Sequence, residues 1–240
     1  MAQSDAATLE RSWLGRIDYR SAWQLQHEFV RRRVAGEVGD QLLLLEHPPV
    51  LTLGRQSSPE HVRASLADLE QRGIELIRVE RGGEVTYHGP GQLVAYPIVA
   101  LAERGLLLRP FVRALEQAMA ATAAHYGVIA GPRPGYPGCW CAADGERPRK
   151  IGALGLRVER GVTYHGVALN VTTDLTDFEL IDPCGLSGIE VTSIAREAGW
   201  QPAQAVPSTD SVEDAAGHFA GALESALQRA AGARSLAATG

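Results

Sequence analysis

The residues best suited to covalent chemistry are one cysteine and one lysine. Cys184 stands between Pro183 and Gly185, in a tight Asp182-Pro183-Cys184-Gly185 turn that can expose its sulfur. A small buried hydrophobe is the alternative role for a free cysteine. A thiol with a pKa of about 8.5 is only slightly ionised at neutral pH. A neighbouring ammonium favours the thiolate, and the same group, once neutral, can serve as a base. Lysine and arginine together number 23, of which one is lysine, Lys150, and 22 are arginine. Arginine keeps its proton in a protein and lysine can lose it, so a single lysine in an arginine-rich chain is a candidate for acid–base work. Codon bias towards arginine is the competing explanation. The two residues lie 34 positions apart, and the sequence does not show that they touch.

A second concentration of useful chemistry runs from Glu80 to Pro97, where Arg81-Gly82-Gly83-Glu84-Val85-Thr86-Tyr87-His88-Gly89-Pro90-Gly91 separates two apolar runs. Glycines allow backbone to approach a ligand or take positive φ. Arginine and histidine add charge and hydrogen bonds. A glycine-rich hairpin turn would use the same glycines. Val85-Thr86-Tyr87-His88-Gly89 is echoed by Val162-Thr163-Tyr164-His165-Gly166, so two strands end in His-Gly and could border one cleft. Coincidence of a β-favouring tetrapeptide is the other reading. Two histidines are too few for zinc without further ligands, and Cys139-Trp140-Cys141 has the wrong spacing for a knuckle, so no metal is expected.

The elements that must position these residues read as follows. Asp18 caps a helix to Val34 with apolar residues recurring at three and four. Strands are expected at 41–46, 50–53, 74–79, 85–88, 92–99, 139–142, 150–159 and 162–171, with helices at 64–71, 110–126, 174–180, 192–198 and 210–230, the last capped by Ser208 or Asp210. Residues 131–138 read as a surface loop; 1–12 and the tail from 232 read as loose. Antiparallel strands interspersed with helices give an α+β class, one catalytic domain over 1–240. The net charge of −5 argues against nucleic-acid binding, and three cysteines make no disulfide framework. There is no signal peptide and no apolar run near the roughly 18 residues of a membrane span, so a cytoplasmic protein is expected.

Arg81 to Leu93 resembles the signature of the lipoyl(octanoyl) transferases, and Leu45-Glu46-His47-Pro48-Pro49-Val50-Leu51-Thr52-Leu53-Gly54-Arg55 resembles their second signature. Lys150-Ile151-Gly152-Ala153-Leu154-Gly155, His165-Gly166-Val167-Ala168-Leu169-Asn170 and Pro183-Cys184-Gly185 follow in the family's order. The resemblance implies a mixed β-sheet flanked by helices, similar to the biotin/lipoate protein ligase catalytic domain. It implies transfer of octanoyl from octanoyl-acyl carrier protein to a lysine of lipoyl domains in 2-oxoacid dehydrogenase complexes and of the glycine cleavage H protein. Cys184 would carry the acyl thioester and Lys150 would lower its pKa. Arg81, Gly82, Gly83, Glu84, Val85, Thr86, Tyr87 and His88 would line the acyl pocket, with His88 at its mouth. Ala153, Leu154, Gly155, Gly166, Val167 and Ala168 would complete it. No cofactor is implied, and a monomer is expected. Two readings compete. An ATP-dependent lipoate or biotin ligase would have His-Asp where this chain has His88-Gly89. A non-catalytic carrier-binding module would dock through Arg31, Arg32 and Arg33.

Overall fold

The structure is a computed structural model and describes residues 8–182, 189–200 and 212–237. Among these residues, eight strands form a mixed sheet. Its order is β1 (Leu9–Arg16), β2 (Asp40–Glu46), β6 (Gln92–Ile98), β10 (Val162–Asn170), β9 (Arg149–Glu159), β8 (Tyr136–Cys141) and β7 (Ala130–Arg133). The short β11 (Glu190–Val191) pairs with β9 at Arg149 and Lys150. A second sheet has the order β4 (Glu75–Arg78), β3 (Val50–Leu53), β5 (Val85–His88).

Helices cover both faces of the main sheet, which is why β2 and β6 are apolar without alternation. Leu42 and Leu44 join Leu93 and Ala95 in a core against α3 (Leu108–His125) and α5 (Val212–Ala237). Leu43 and Leu45 join Val94 and Tyr96 in the opposite core, against α1 (Tyr19–Val34). Asp18 starts α1 by accepting a hydrogen bond from the Ser21 amide at 2.9 Å. The short α2 (Leu66–Gln71) opens with a reciprocal Ser65–Asp68 capping box, and Ser193 caps the one-turn α4 (Ile194–Glu197).

Three expectations change. Residues 9–12 are not loose, because they belong to β1, which pairs in parallel with β2. Residues 131–138 are not a surface loop; they build most of the β7–β8 hairpin, whose tip reaches the main cavity. The helix expected to end at Ala230 continues to Ala237, and its expected caps, Ser208 and Asp210, lie outside the described residues. The docking patch also loses a member. Arg33 is 7% exposed and is held by Asp40 at 2.8 Å and Glu103 at 2.6 Å. Asp40 additionally binds Arg104 and the Ala100 amide, so this arginine serves a buried junction between α1 and the sheet.

Candidate active site

On the α1 face of the main sheet, between it and the smaller sheet, lies a cavity of about 500 Å³. Its floor is made of small residues. Gly155 pairs with Gly166 and Ala153 with Ala168 across β9 and β10, leaving a strip where an apolar chain can lie on backbone. The Arg81–Gly83 loop forms one wall, held between two other glycines. A Cβ on Gly54 would clash with the Gly83 carbonyl, and one on Gly155 would stand 2.7 Å from the Gly82 oxygen. The Gly82 amide donates to the Leu156 carbonyl at 3.0 Å, tying the loop to β9. The Arg81 guanidinium turns back onto β3, donating to the Thr52 carbonyl at 2.6 Å and Thr52 Oγ1 at 2.9 Å.

Every expected pocket residue lines this cavity except Tyr87. β5 alternates its side chains, so Thr86 and His88 look into the cavity while Tyr87 packs in the core of the smaller sheet, 5.4 Å from the Phe178 ring. His88 is 6% exposed and belongs to the buried wall, not to the mouth. Its surroundings fix its proton. Gln92 Nε2 donates to the Tyr87 carbonyl and to Asn170 Oδ1, so Gln92 Oε1 must accept from His88 Nδ1, at 2.7 Å. Beside it, His47 Nδ1 donates to the Ile17 carbonyl at 2.7 Å and its Nε2 accepts from Tyr96 at 2.8 Å. Burial pushes His47 down to about 4 and moves His88 and His165 downwards too. The His165 amide donates to Gln26 Oε1 at 2.8 Å, but its two ring nitrogens are buried without a hydrogen bond among the described residues, and Glu80 Oε1, 3.6 Å from Nε2, only partly offsets that burial. The three imidazoles are thus polar but uncharged at neutral pH.

Lys150 lines the other end. It stands opposite Trp140 on β8, with Nζ 5.1 Å from the indole centroid. The β8–β9 register slips here, Cys139 facing Gly152 and Trp140 facing Lys150, so Ile151 is an extra residue. Such a bulge re-aims a side chain, here the lysine. Cys184 lies outside the described residues, but both flanks of its segment are placed. Phe178 before it and Val191 after it line the cavity, and Val191 pairs with Lys150 itself. The Asp182 amide donates to the His61 carbonyl at 2.8 Å, anchoring the approach. Cys139 and Cys141 have no part in this site: both are buried in the opposite core, and burial pushes their thiols up to about 12 and about 11.

The family described as the lipoyl protein ligase A/B catalytic domain matches residues 18–220. The octanoyltransferase of Chloroflexus aggregans is 47% identical over 199 residues, covering 82% of this chain and 89% of that protein. The chain belongs to the octanoyltransferases. It is an acyltransferase of lipoate biosynthesis, and its fold is shared more widely. The bipartite lipoate protein ligase from Thermoplasma acidophilum superposes with a TM-score of 0.62 at 16% identity, over 92% of this chain and 84% of that one. The biotin protein ligase of Aquifex aeolicus, in complex with biotin and ATP, gives a TM-score of 0.53 at 11% identity, over 92% of this chain and 71% of that one. These likenesses show the expected fold and nothing about ATP use by this octanoyltransferase.

Several residues of the octanoyltransferase cavity escape the sequence reading. Asn170 closes the His165-Gly166 motif, and its Nδ2 donates to the Thr192 carbonyl at 2.9 Å, tying β10 to the chain just after β11. Tyr19 comes from α1, where its spacing reads as core. Trp140 becomes a site residue only through the β8–β9 register, which no local pattern encodes.

Proposed function

We propose that octanoyl transfer proceeds through a thioester on Cys184, with Lys150 as its acid–base partner. The observation that carries this reading is convergence: one cavity gathers Arg81–Glu84, Ala153–Gly155, Gly166–Ala168 and Lys150, and Phe178 and Val191, on either side of Cys184 in the sequence, line it too. The Cys184 thiolate attacks the thioester carbonyl of octanoyl-acyl carrier protein, and the pantetheine leaves as its thiol, taking its proton from the Lys150 ammonium. The ε-amine of a lipoyl-domain lysine then attacks the Cys184 thioester. Lys150, neutral at that point, accepts the amine's proton as the amide forms and the thiolate departs. Thioester to amide is downhill, so no nucleotide is consumed. Burying the eight-carbon chain on the glycine–alanine floor supplies on the order of 5 kcal/mol, at about 0.8 per methylene.

The same reading takes the Leu154 amide as an oxyanion donor, on strand geometry. Leu156 turns its carbonyl away from β10 to the Gly82 amide, so Leu154, two residues earlier, points its own N–H to the same side. That side of β9 has lost β8 beyond Gly152 and faces the cavity wall. A backbone N–H so placed can steady the tetrahedral oxygen. Trp140 holds the Lys150 ammonium over its ring and so fixes where the proton is delivered. On this reading the chain is one catalytic domain, working as a cytoplasmic monomer without a cofactor, on acyl carrier protein and on the lipoyl domains of 2-oxoacid dehydrogenases and glycine cleavage H protein. Among the described residues, no helix is long and apolar enough to cross a membrane.

Intact-mass measurement after incubation with octanoyl-acyl carrier protein, without ATP, tests the proposal. One octanoyl adduct on the wild type, absent in Cys184→Ser and slow to form in Lys150→Ala, is the expected result. An unmodified wild-type mass would sink the thioester route. Turnover of free octanoate that required ATP would favour a ligase instead.

A further inference from the structure

On the face of the main sheet away from the cavity, α3 ends where α5 begins its first turns, and three ligand-type side chains meet there. His125 is the last residue of α3; Asp214 and His218, four apart, share one face of α5. One ligand atom from each can be chosen so that all three lie within 4.8 Å of one another. The two imidazoles stack at 3.5 Å between centroids and 28° between planes, and His218 Nε2 lies 3.6 Å from Asp214 Oδ2. The carboxylate is oriented from behind, Tyr126 donating its hydroxyl to Asp214 Oδ2 at 2.8 Å. Tyr126 is itself wedged edge-on against Trp200 at 5.5 Å. Such outer partners fix the direction of a metal-binding carboxylate.

We propose that His125, Asp214 and His218 form a binding site for a divalent transition-metal ion, with zinc the best fit. Two imidazole nitrogens and one carboxylate suit zinc, nickel or copper, and they suit magnesium and calcium poorly. Bonds of about 2.0–2.1 Å in a tetrahedron place ligand atoms roughly 3.4 Å apart. Contraction from the present spread needs only rotation of partly exposed side chains, His218 and Asp214 being 38% and 33% exposed. Water takes the fourth position. The ion ties the first turns of α5 to the last turn of α3, two helices that otherwise meet through apolar contacts. Its role is structural, since none of the three ligands is among the residues that line the cavity.

The test uses the full chain as Cys184→Ser, so that the turn cysteine cannot compete as a ligand. Titration with cobalt(II) should give one equivalent of visible d–d absorption without a thiolate charge-transfer band. Zinc should displace it and raise Tm, while magnesium leaves Tm unchanged. His125→Ala and His218→Ala should each weaken binding at least tenfold and remove the zinc-dependent rise. With Cys184 present, both variants should keep wild-type octanoyl transfer. Absence of binding at micromolar metal, or binding of equal strength in both variants, overturns the site.

Discussion

Lys150 and Trp140 face each other across two strands, and the indole holds the ammonium before any substrate arrives. A cation–π contact of this kind contributes about 0.5–2 kcal/mol. Trp140→Leu is therefore expected to slow acyl transfer about tenfold, with Trp140→Phe recovering part of the rate and with the Km for the carrier little changed. Equal rates in Leu and Phe variants would show that the ring merely fills space. Lys150→Arg separates the two duties proposed for the lysine. A guanidinium can keep Cys184 ionised but cannot take a proton from the incoming amine. In single-turnover experiments the variant should form the octanoyl adduct and then fail to pass it on. Transfer at the wild-type rate would remove the base role.

At the scale of elements, β9 and β10 are shaped for close approach by residues without side chains. A Cβ on Gly166 would run into the Ala95 carbonyl of β6, and one on Gly155 would press the Gly82 carbonyl. Gly166→Ala should lower stability by about 1–3 kcal/mol, the usual cost of overpacking, read from the urea midpoint. Gly155→Ala should displace the Arg81–Gly83 loop and raise the Km for octanoyl donor more than it lowers Tm. An unchanged Km would mean that the loop does not shape the acyl site. These glycines also show what the sequence discloses. The apolar runs of β2 and β6 and the capped start of α1 are local signals, and the structure contains each of them. The β1 strand is polar on much of its length because it is an edge, with Glu10, Arg11 and Arg16 exposed to solvent. The β7–β8 hairpin hides behind prolines and glycines that elsewhere mark loops. Tyr87 lies outside the cavity because β5 alternates its side chains, a fact that a motif read as a unit does not carry.

For the whole molecule, the buried histidines make stability depend on pH. His47, His88 and His165 are all held neutral by burial, whereas in an unfolded chain each titrates near about 6.5. Above that pH both states are unprotonated and the fold keeps its full stability. Below it the unfolded chain binds protons that the folded chain refuses. Stability should then fall by about 1.4 kcal/mol per pH unit for each histidine. For His47 this continues down to about 4. Urea midpoints at pH 7, 6 and 5 should decline in step, and His88→Gln should flatten the decline. A midpoint that did not move between pH 7 and 5 would contradict neutral, buried imidazoles.

Lys150 is 7% exposed, and every other basic side chain except histidine is an arginine, 22 in all. An enzyme that hands acyl groups to ε-amines endangers its own surface, because any lysine near a loaded thioester is a wrong acceptor. This surface offers none. On the proposed thioester route Lys150, already committed to proton transfer, is the one lysine in the chain that a loaded enzyme could acylate, so the arginine bias leaves its outer surface, and that of a second copy, without a competing side chain.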